Sequence, residues 1–243
     1  MNSFASPLRL LLLFISTIAF MLQGAVITVD NFSFESPDTD DFPKSFVNTV
    51  DGWIHPSERV AVQKKDGNFP TAPDGDQWLV VDSRKVNSSS EPGYVFQNIG
   101  TIDESLTYTL DVVIGSRSDL PLPDNFIGGF FTDNDGVFSS GSGVSLDGDG
   151  TLATFDKSDY PTLPNLTAAT VDGGTFWNAA GSGLQGEDLY IGFYIPFVDN
   201  SGNTVKQVIF DNVSVTTVPE PASVVLVLGG LLTLLAFRKR ASK

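Results

Sequence analysis

Apolar and polar residues alternate along six stretches of this chain: VITVDNFSFE (26–35), WLVVDS (78–83), YVFQNIG (94–100), LTYTLDVVIG (106–115), LYIGFYI (189–195) and VKQVIFDNVSVTTV (205–218). A period of two sends successive side chains to opposite faces of a strand. The Val, Ile, Phe, Tyr and Thr that fill these stretches suit a pleated surface with one buried side. Turn clusters separate them: Pro73-Asp74-Gly75, Asn134-Asp135-Gly136, Asp147-Gly148-Asp149-Gly150 and Asp199-Asn200-Ser201-Gly202. Gly, Asn and Asp supply the positive φ of tight turns. Many short strands with such punctuation predict an all-β fold, an antiparallel sandwich or barrel. A helical period is almost absent from 26 to 217, and no internal repeat or second domain boundary is visible. The stretch 116–150, rich in Gly, Ser and Asp, reads as hairpins or one long loop.

The two ends follow another pattern. Arg9 precedes a 13-residue apolar run, Leu10 to Leu22, which has the proportions of a signal-peptide core followed by cleavage near Ala25. Residues 1–25 are therefore expected to be a signal helix. At the other end, Pro219 and Pro221 lack backbone donors and predict that the folded domain, 26–217, stops before them. Ala222 to Phe237 is a 16-residue uncharged run. As a helix it spans about 24 Å, slightly short of a ~30 Å hydrocarbon core. Arg238, Lys239 and Arg240 then act as a membrane stop and stay on the cytoplasmic side.

Charge is distributed unevenly. The net charge of the 243-residue chain is −15. Without the two terminal segments, nine bases face 28 acids, a charge of −19 on the middle of the chain. That field repels nucleic acid and attracts cations. The chain has no cysteine, which excludes a disulfide framework and a thiol nucleophile. His55, the one histidine, lies in Trp53-Ile54-His55-Pro56 with no nucleophile motif beside it, and reads as a loop residue. Asp133-Asn134-Asp135-Gly136 and Asp147-Gly148-Asp149-Gly150 lack the ligand spacing of an EF-hand and read as hairpin turns. Trp53, Trp78, Trp177, Tyr94, Tyr160 and Tyr194 are the aromatic candidates for a ligand platform. Trp177, flanked by glycines in GGTFWN, is the better candidate for exposure, beside the plainer reading that any one of these aromatics packs in the core.

Two resemblances add to this reading. Val218-Pro219-Glu220-Pro221-Ala222-Ser223, an apolar run with glycines and an Arg-rich end resemble the PEP-CTERM sorting signal of Gram-negative bacteria. That implies recognition of Pro219, Glu220 and Pro221 by exosortase, a membrane protease-transpeptidase, and removal of the tail 218–243. It also implies an inner-membrane precursor, a mature form at the cell surface or outside the cell, and an association with exopolysaccharide. The order Asn31-Phe32-Ser33-Phe34-Glu35, Asp51-Gly52-Trp53, Asp76-Gln77-Trp78-Leu79, Val95-Phe96-Gln97, Tyr108-Thr109-Leu110 and Ile209-Phe210-Asp211-Asn212-Val213-Ser214-Val215 is similar to the galactose-binding-like jelly roll of carbohydrate-binding modules. It implies a jelly-roll β-sandwich in which Glu35 and Asp211 join the first and last strands through a structural Ca²⁺. Carboxylates in strand-like runs also simply face water, so the calcium reading stands beside that plainer one. The function these features suggest is a non-catalytic extracellular-matrix or adhesion protein. The alternatives are a carbohydrate-binding module with a defined sugar site, or a glycoside hydrolase.

Overall fold

The computed structural model describes residues 24–41, 46–55, 59–86, 89–133, 150–163, 168–195 and 205–220. Among these, the chain forms twelve strands and two single-turn 3-10 helices. The strands are β1 (Ala25–Ile27), β2 (Phe46–Val47), β3 (Val60–Lys64), β4 (Gln77–Val86), β5 (Ser89–Glu91) and β6 (Gly93–Thr101). They continue with β7 (Leu106–Gly115), β8 (Ile127–Thr132), β9 (Thr151–Asp156), β10 (Thr170–Asn178), β11 (Asp188–Ile195) and β12 (Lys206–Pro219). The expected all-β antiparallel sandwich is what forms. A larger sheet runs β10-β7-β12-β4-β3-β2, with β1 on β12 and β5 on β4, and a smaller one runs β6-β11-β8-β9. All pairings are antiparallel.

The core lies between the sheets. Alternate residues of β7 (Tyr108, Leu110, Val112, Ile114) face Leu189, Ile191 and Phe193 of β11, together with Phe130 and Phe210. Phe193 stacks on Phe210 with centroids 4.2 Å apart, and Tyr108 stacks on Trp177 at 5.6 Å. A second cluster, Phe69, Ala72, Trp78, Val80 and Ile209, covers part of the outer face of the larger sheet. Phe69 and Ala72 come from the β3–β4 connection, which folds back over that face.

Three departures from the sequence pattern have physical reasons. The expected opening strand 26–35 ends at Ile27. Asn31 accepts from the Ser36 amide and donates to the Asp51 carbonyl, and Asn31 and Phe34 take φ of 48° and 56°. Local side-chain bonding of this kind competes with the ladder. The stretch 116–150 contains β8, whose Gly128-Gly129 breaks any clear alternation. At the far end β12 runs on to Pro219, opposite Leu106, and the Glu220 amide bonds the Ser105 carbonyl. A proline is accepted there because it closes the strand. No helix among the described residues is long and apolar enough to cross a membrane. The expected signal helix lies outside those residues except at its end, where Ala25 opens β1 opposite Thr217 and is not helical; the run 222–237 and the turn clusters 134–136 and 199–202 also lie outside them.

Candidate functional site

The outer face of the smaller sheet is aromatic. Register aligns Asn98, Tyr190 and Phe131 in one row across β6, β11 and β8. The next row is Phe96, Gly192 and Gly129, and the third is Tyr94, Tyr194 and Ile127. Ile54 bridges Phe96 and extends the middle row past the edge of β6. Gly192 is needed here: a Cβ on it would lie 2.3 Å from Phe96 Cδ1, so the Phe96 ring occupies the space a side chain would take. Tyr94 and Phe96 are tilted at 5.7 Å, and Phe96 meets Phe131 edge-on at 6.1 Å. All five rings, with Tyr190 and Tyr194, are buried. Burial raises the Tyr94 and Tyr190 phenols above their ordinary range, and a hydrogen bond with Asn98 partly offsets this at Tyr190. Both therefore stay protonated at neutral pH.

A second constellation ties the covering loop of the larger sheet to its last strand. Asp211 is fully buried where β12 bulges, beside Asn212 with φ of 52°. Its carboxylate accepts from the amides of Asp74 (3.3 Å) and Asn212 (2.7 Å). Burial nevertheless pushes it up to about 7, with the charges of Asp74 and Glu35 adding to the rise. Glu35 Oε1 accepts from the amides of Asp76 (3.0 Å) and Gln77 (2.8 Å). Gly75, with φ of 62°, lets the loop close onto the Glu35 carboxylate: a Cβ there would lie 2.2 Å from Glu35 Cδ. The Gln77 side chain locks the opening segment, donating to the Phe34 and Pro37 carbonyls and accepting from the Thr39 amide. The structure thus brings Glu35 and Asp211 together. Among the described residues no group of three or more His, Cys, Asp or Glu is arranged to hold a metal. A Ca²⁺ here, with its six to eight oxygens, would draw on backbone carbonyls as well.

The other candidates fall in different places. Trp177 points into the sandwich and is only 9% exposed, while its neighbour Phe176 takes the exposed position at 71%. The pairing of β10 with β7 sets this parity: Trp177 lies opposite the buried Tyr108, and Phe176 opposite Thr109. Trp53 and Trp78 are core residues. Tyr94 and Tyr194 face each other across β6 and β11, and Tyr160 packs at the β10 edge. His55 is half-buried; its Nε2 accepts from the Val50 amide at 3.3 Å, and burial lowers its pKa. Pro219 and Glu220 close β12, whereas Pro221 and Arg238 to Arg240 lie outside the described residues. Sequence reasoning named none of Phe96, Phe131 and Tyr190 as a site residue, although Phe96 stands among the landmarks of the jelly-roll resemblance. The available signal was LYIGFYI, in which residues of both parities are apolar or aromatic, so neither face reads as solvated.

Comparison with known proteins places this geometry. Residues 25–216 match the sequence family described as HpiC1-like, HpiC1 cyclase. No curated protein sequence matches the chain. Among solved structures, the chain is similar to the Stig cyclase Fisc from Fischerella sp. TAU in complex with (3Z)-3-(1-methyl-2-pyrrolidinylidene)-3H-indole. The TM-score is 0.60 at 19% identity, over 81% of this chain and 99% of that one. A Fischerella sp. TAU cyclase in complex with 4-(1H-indol-3-yl)butan-2-one gives 0.58 at 19% identity, over 80% and 98%. These likenesses show the shared two-sheet sandwich. The carbohydrate-binding module TmCBM61 with β-1,4-galactotriose reaches only 0.39 at 10% identity, over 79% and 97%, too slight to support an argument about sugars. The family match overturns two expectations: that the chain is not an enzyme, and that it is a matrix or adhesion component. The first rested on the absence of a thiol and of a histidine-based triad, the second on the resemblance of the tail to a PEP-CTERM signal and of the domain to carbohydrate-binding modules. Ring closure needs neither thiol nor triad when an apolar surface positions the reacting carbons.

Proposed function

The chain belongs to the HpiC1-like cyclase family, and from that premise we propose that it is an enzyme that closes a carbon ring on an apolar, indole-bearing precursor. The aromatic outer face of the smaller sheet, whose rings are buried, lines its binding site. The observation that carries this reading is the three-row array of Tyr94, Phe96, Phe131, Tyr190 and Tyr194 around Gly192. An apolar, ring-lined surface holds a flexible chain in one folded conformation, which removes most of the entropic part of the barrier. As alkene electrons move to form the new bond, positive charge develops on carbon. The negative faces of aromatic rings stabilise such charge by about 0.5–2 kcal/mol each. The protonated phenols of Tyr94 and Tyr190 supply hydrogen-bond donors to orient a heteroatom or deliver a proton. The indole ligands of the Fischerella cyclases support the indole-bearing class.

Calorimetric titration of the full chain with 4-(1H-indol-3-yl)butan-2-one tests the binding surface. Saturable binding is expected, weakened about tenfold or more in Phe131→Ala and Tyr194→Ala. No binding, or unaltered binding in both variants, refutes the assignment. Incubation with an acyclic indole carrying an alkene chain tests the chemistry. Ring closure conserves mass, so the product is a chromatographically distinct species of unchanged mass.

The finer features belong to the same proposal. The sandwich has jelly-roll connectivity, preceded by a signal segment that stops short of Ala25, the first residue of β1, and followed by a membrane-spanning run at 222–237. The protein is exported with a PEP-CTERM tail that an exosortase removes, passing from the inner membrane to the cell surface or beyond. Replacing Pro219-Glu220-Pro221 by alanines should leave the tail attached in the membrane fraction; ordinary removal in that variant sinks the sorting claim. Glu35 and Asp211 hold a structural Ca²⁺ with help from backbone oxygens of the 74–77 loop. Their fit rests on the fully buried Asp211 carboxylate with two further acids, Glu35 and Asp74, beside it.

A further inference from the structure

The exposed ring that sequence reasoning misplaced by one residue lies on the other sheet, away from the aromatic face. Phe176 projects from the outer face of β10, opposite Thr109 of β7. Two positions earlier on the same face is Gly174, opposite Asp111, and two earlier again is Asp172. Period two makes Asp172, Gly174 and Phe176 neighbours on one side of the strand, with Asp111 and Thr109 beside them. Together they line an open groove of about 470 Å³.

Gly174 makes the groove. Its φ is 154°, and a Cβ on it would lie 2.1 Å from the Leu110 carbonyl oxygen. No side chain can therefore fill the gap between Asp172 and Phe176. Tyr160 supports the floor from the outside edge: the Gly174 amide donates to its hydroxyl at 2.8 Å. That contact also occupies the edge backbone at this point, so an added strand is not the natural occupant. Asp111 and Asp172 are both exposed carboxylates on the same face. Glu220 approaches that face one outward position further along β7, where its Oε1 accepts from the Thr107 hydroxyl at 2.8 Å. Among the described residues, the outward positions of β7 and β10 carry no base.

We propose that this groove is a second ligand site that takes an organic cation, a protonated amine or quaternary ammonium on a small carbon frame. A ring face and two unneutralised carboxylates share one cleft. An ammonium group satisfies the acids by charge and the Phe176 face by the cation–π interaction, while its carbon frame covers the exposed ring. An anion is repelled, and a neutral apolar molecule leaves the carboxylates desolvated.

The probe is cyclohexylammonium chloride, titrated calorimetrically into the full chain at fixed ionic strength, with cyclohexanol as its neutral counterpart. The ammonium should bind saturably and cyclohexanol should not compete at equal concentration. Phe176→Ala and Asp111→Asn should each weaken binding about three- to tenfold. Glu187→Gln removes an acid elsewhere on the surface and should leave binding within about twofold of the parent. Absence of saturable binding overturns the proposal. So does equal binding of cyclohexanol, which would mark a merely apolar cleft. Equal weakening in Glu187→Gln would also overturn it, because the general acidic field would then explain the effect. Circular dichroism of each variant confirms that the sandwich is intact.

Discussion

The two sheets use their outer faces in opposite ways. On the larger sheet, half of the face is covered by the chain's own β3–β4 connection, which closes over Trp78, Val80 and Ile209 and is clasped by Glu35 and Asp211. The other half is open and mostly polar, with Thr109, Asp111, Ser214 and Thr216 at outward positions beside the exposed Phe176. On the smaller sheet, the outer face is a continuous array of rings. The first arrangement stabilises the fold. The second places large apolar side chains at positions that the core between the sheets does not use. A sandwich needs only one apolar face per sheet, so the second apolar face of the smaller sheet points to function.

Removing the covered apolar mass should have the largest effect. Trp78 is fully buried in the outer cluster of the larger sheet. Trp78→Ala should lower the unfolding free energy by about 3–5 kcal/mol. Urea denaturation measures this. Affinity for an indole ligand, measured below the transition, should be unchanged, since Trp78 and the ring array lie on different sheets. Equal loss of binding and stability would erase the distinction between the two faces.

The clasp gives the next effect, and its sign is fixed. Asp211 moves from 3.8 to about 7 in the folded protein. Between those values the native state holds a proton that the unfolded state has released. Without a bound cation, the contribution of Asp211 to stability is therefore fully present below about pH 4 and is lost as pH rises toward 7, by about 4 kcal/mol at most. Melting temperatures from pH 4 to 7.5 in EDTA should show this decline. Calcium at millimolar concentration should flatten it, because a bound cation replaces the proton. A flat profile in EDTA would mean that Asp211 is already compensated by the amides of Asp74 and Asn212.

The difference between the faces also explains what the sequence could tell. Strands β7 and β12 were legible because their alternation is clean: Tyr108, Leu110 and Val112 point inward, Thr109 and Asp111 outward. The pairing of Glu35 with Asp211 was also legible, though only through resemblance, since 176 positions of sequence separate them and topology alone brings them together. The ring array was not legible as a site. Its members come from β6, β8 and β11, and β8 was hidden by Gly128-Gly129 within a Gly- and Ser-rich stretch. Trp177 was misplaced because flanking glycines fix flexibility and say nothing about strand parity. Only the register of β10 on β7 decides that Trp177 faces inward and Phe176 outward.

A smaller effect separates chemistry from packing on the aromatic face itself. Tyr94→Phe removes one hydroxyl and keeps the ring. Turnover should fall about 10- to 100-fold if the phenol orients or protonates the substrate, while stability changes by about 1 kcal/mol or less. Loss of turnover with unchanged ligand affinity would place the hydroxyl in the reaction. Unchanged turnover would leave the ring as a wall only.

The smallest expected effect sharpens the comparison most. Thr216 lies on β12 at an outward position of the larger sheet, between Thr109 of β7 and Val26 of β1. Thr216→Val keeps the β-branched shape and removes one hydroxyl from a partly exposed site. Stability should stay within about 0.5 kcal/mol of the parent, because the strand preference of the two residues is similar and the hydroxyl has access to water. Turnover should stay within about twofold, since no atom changes on the smaller sheet and the two outer faces lie on opposite sides of a packed core. The same urea titration and the same product assay read both quantities. A larger fall in turnover at constant stability would mean that the reaction depends on both faces, and the assignment of the reaction to the smaller sheet alone would have to be abandoned.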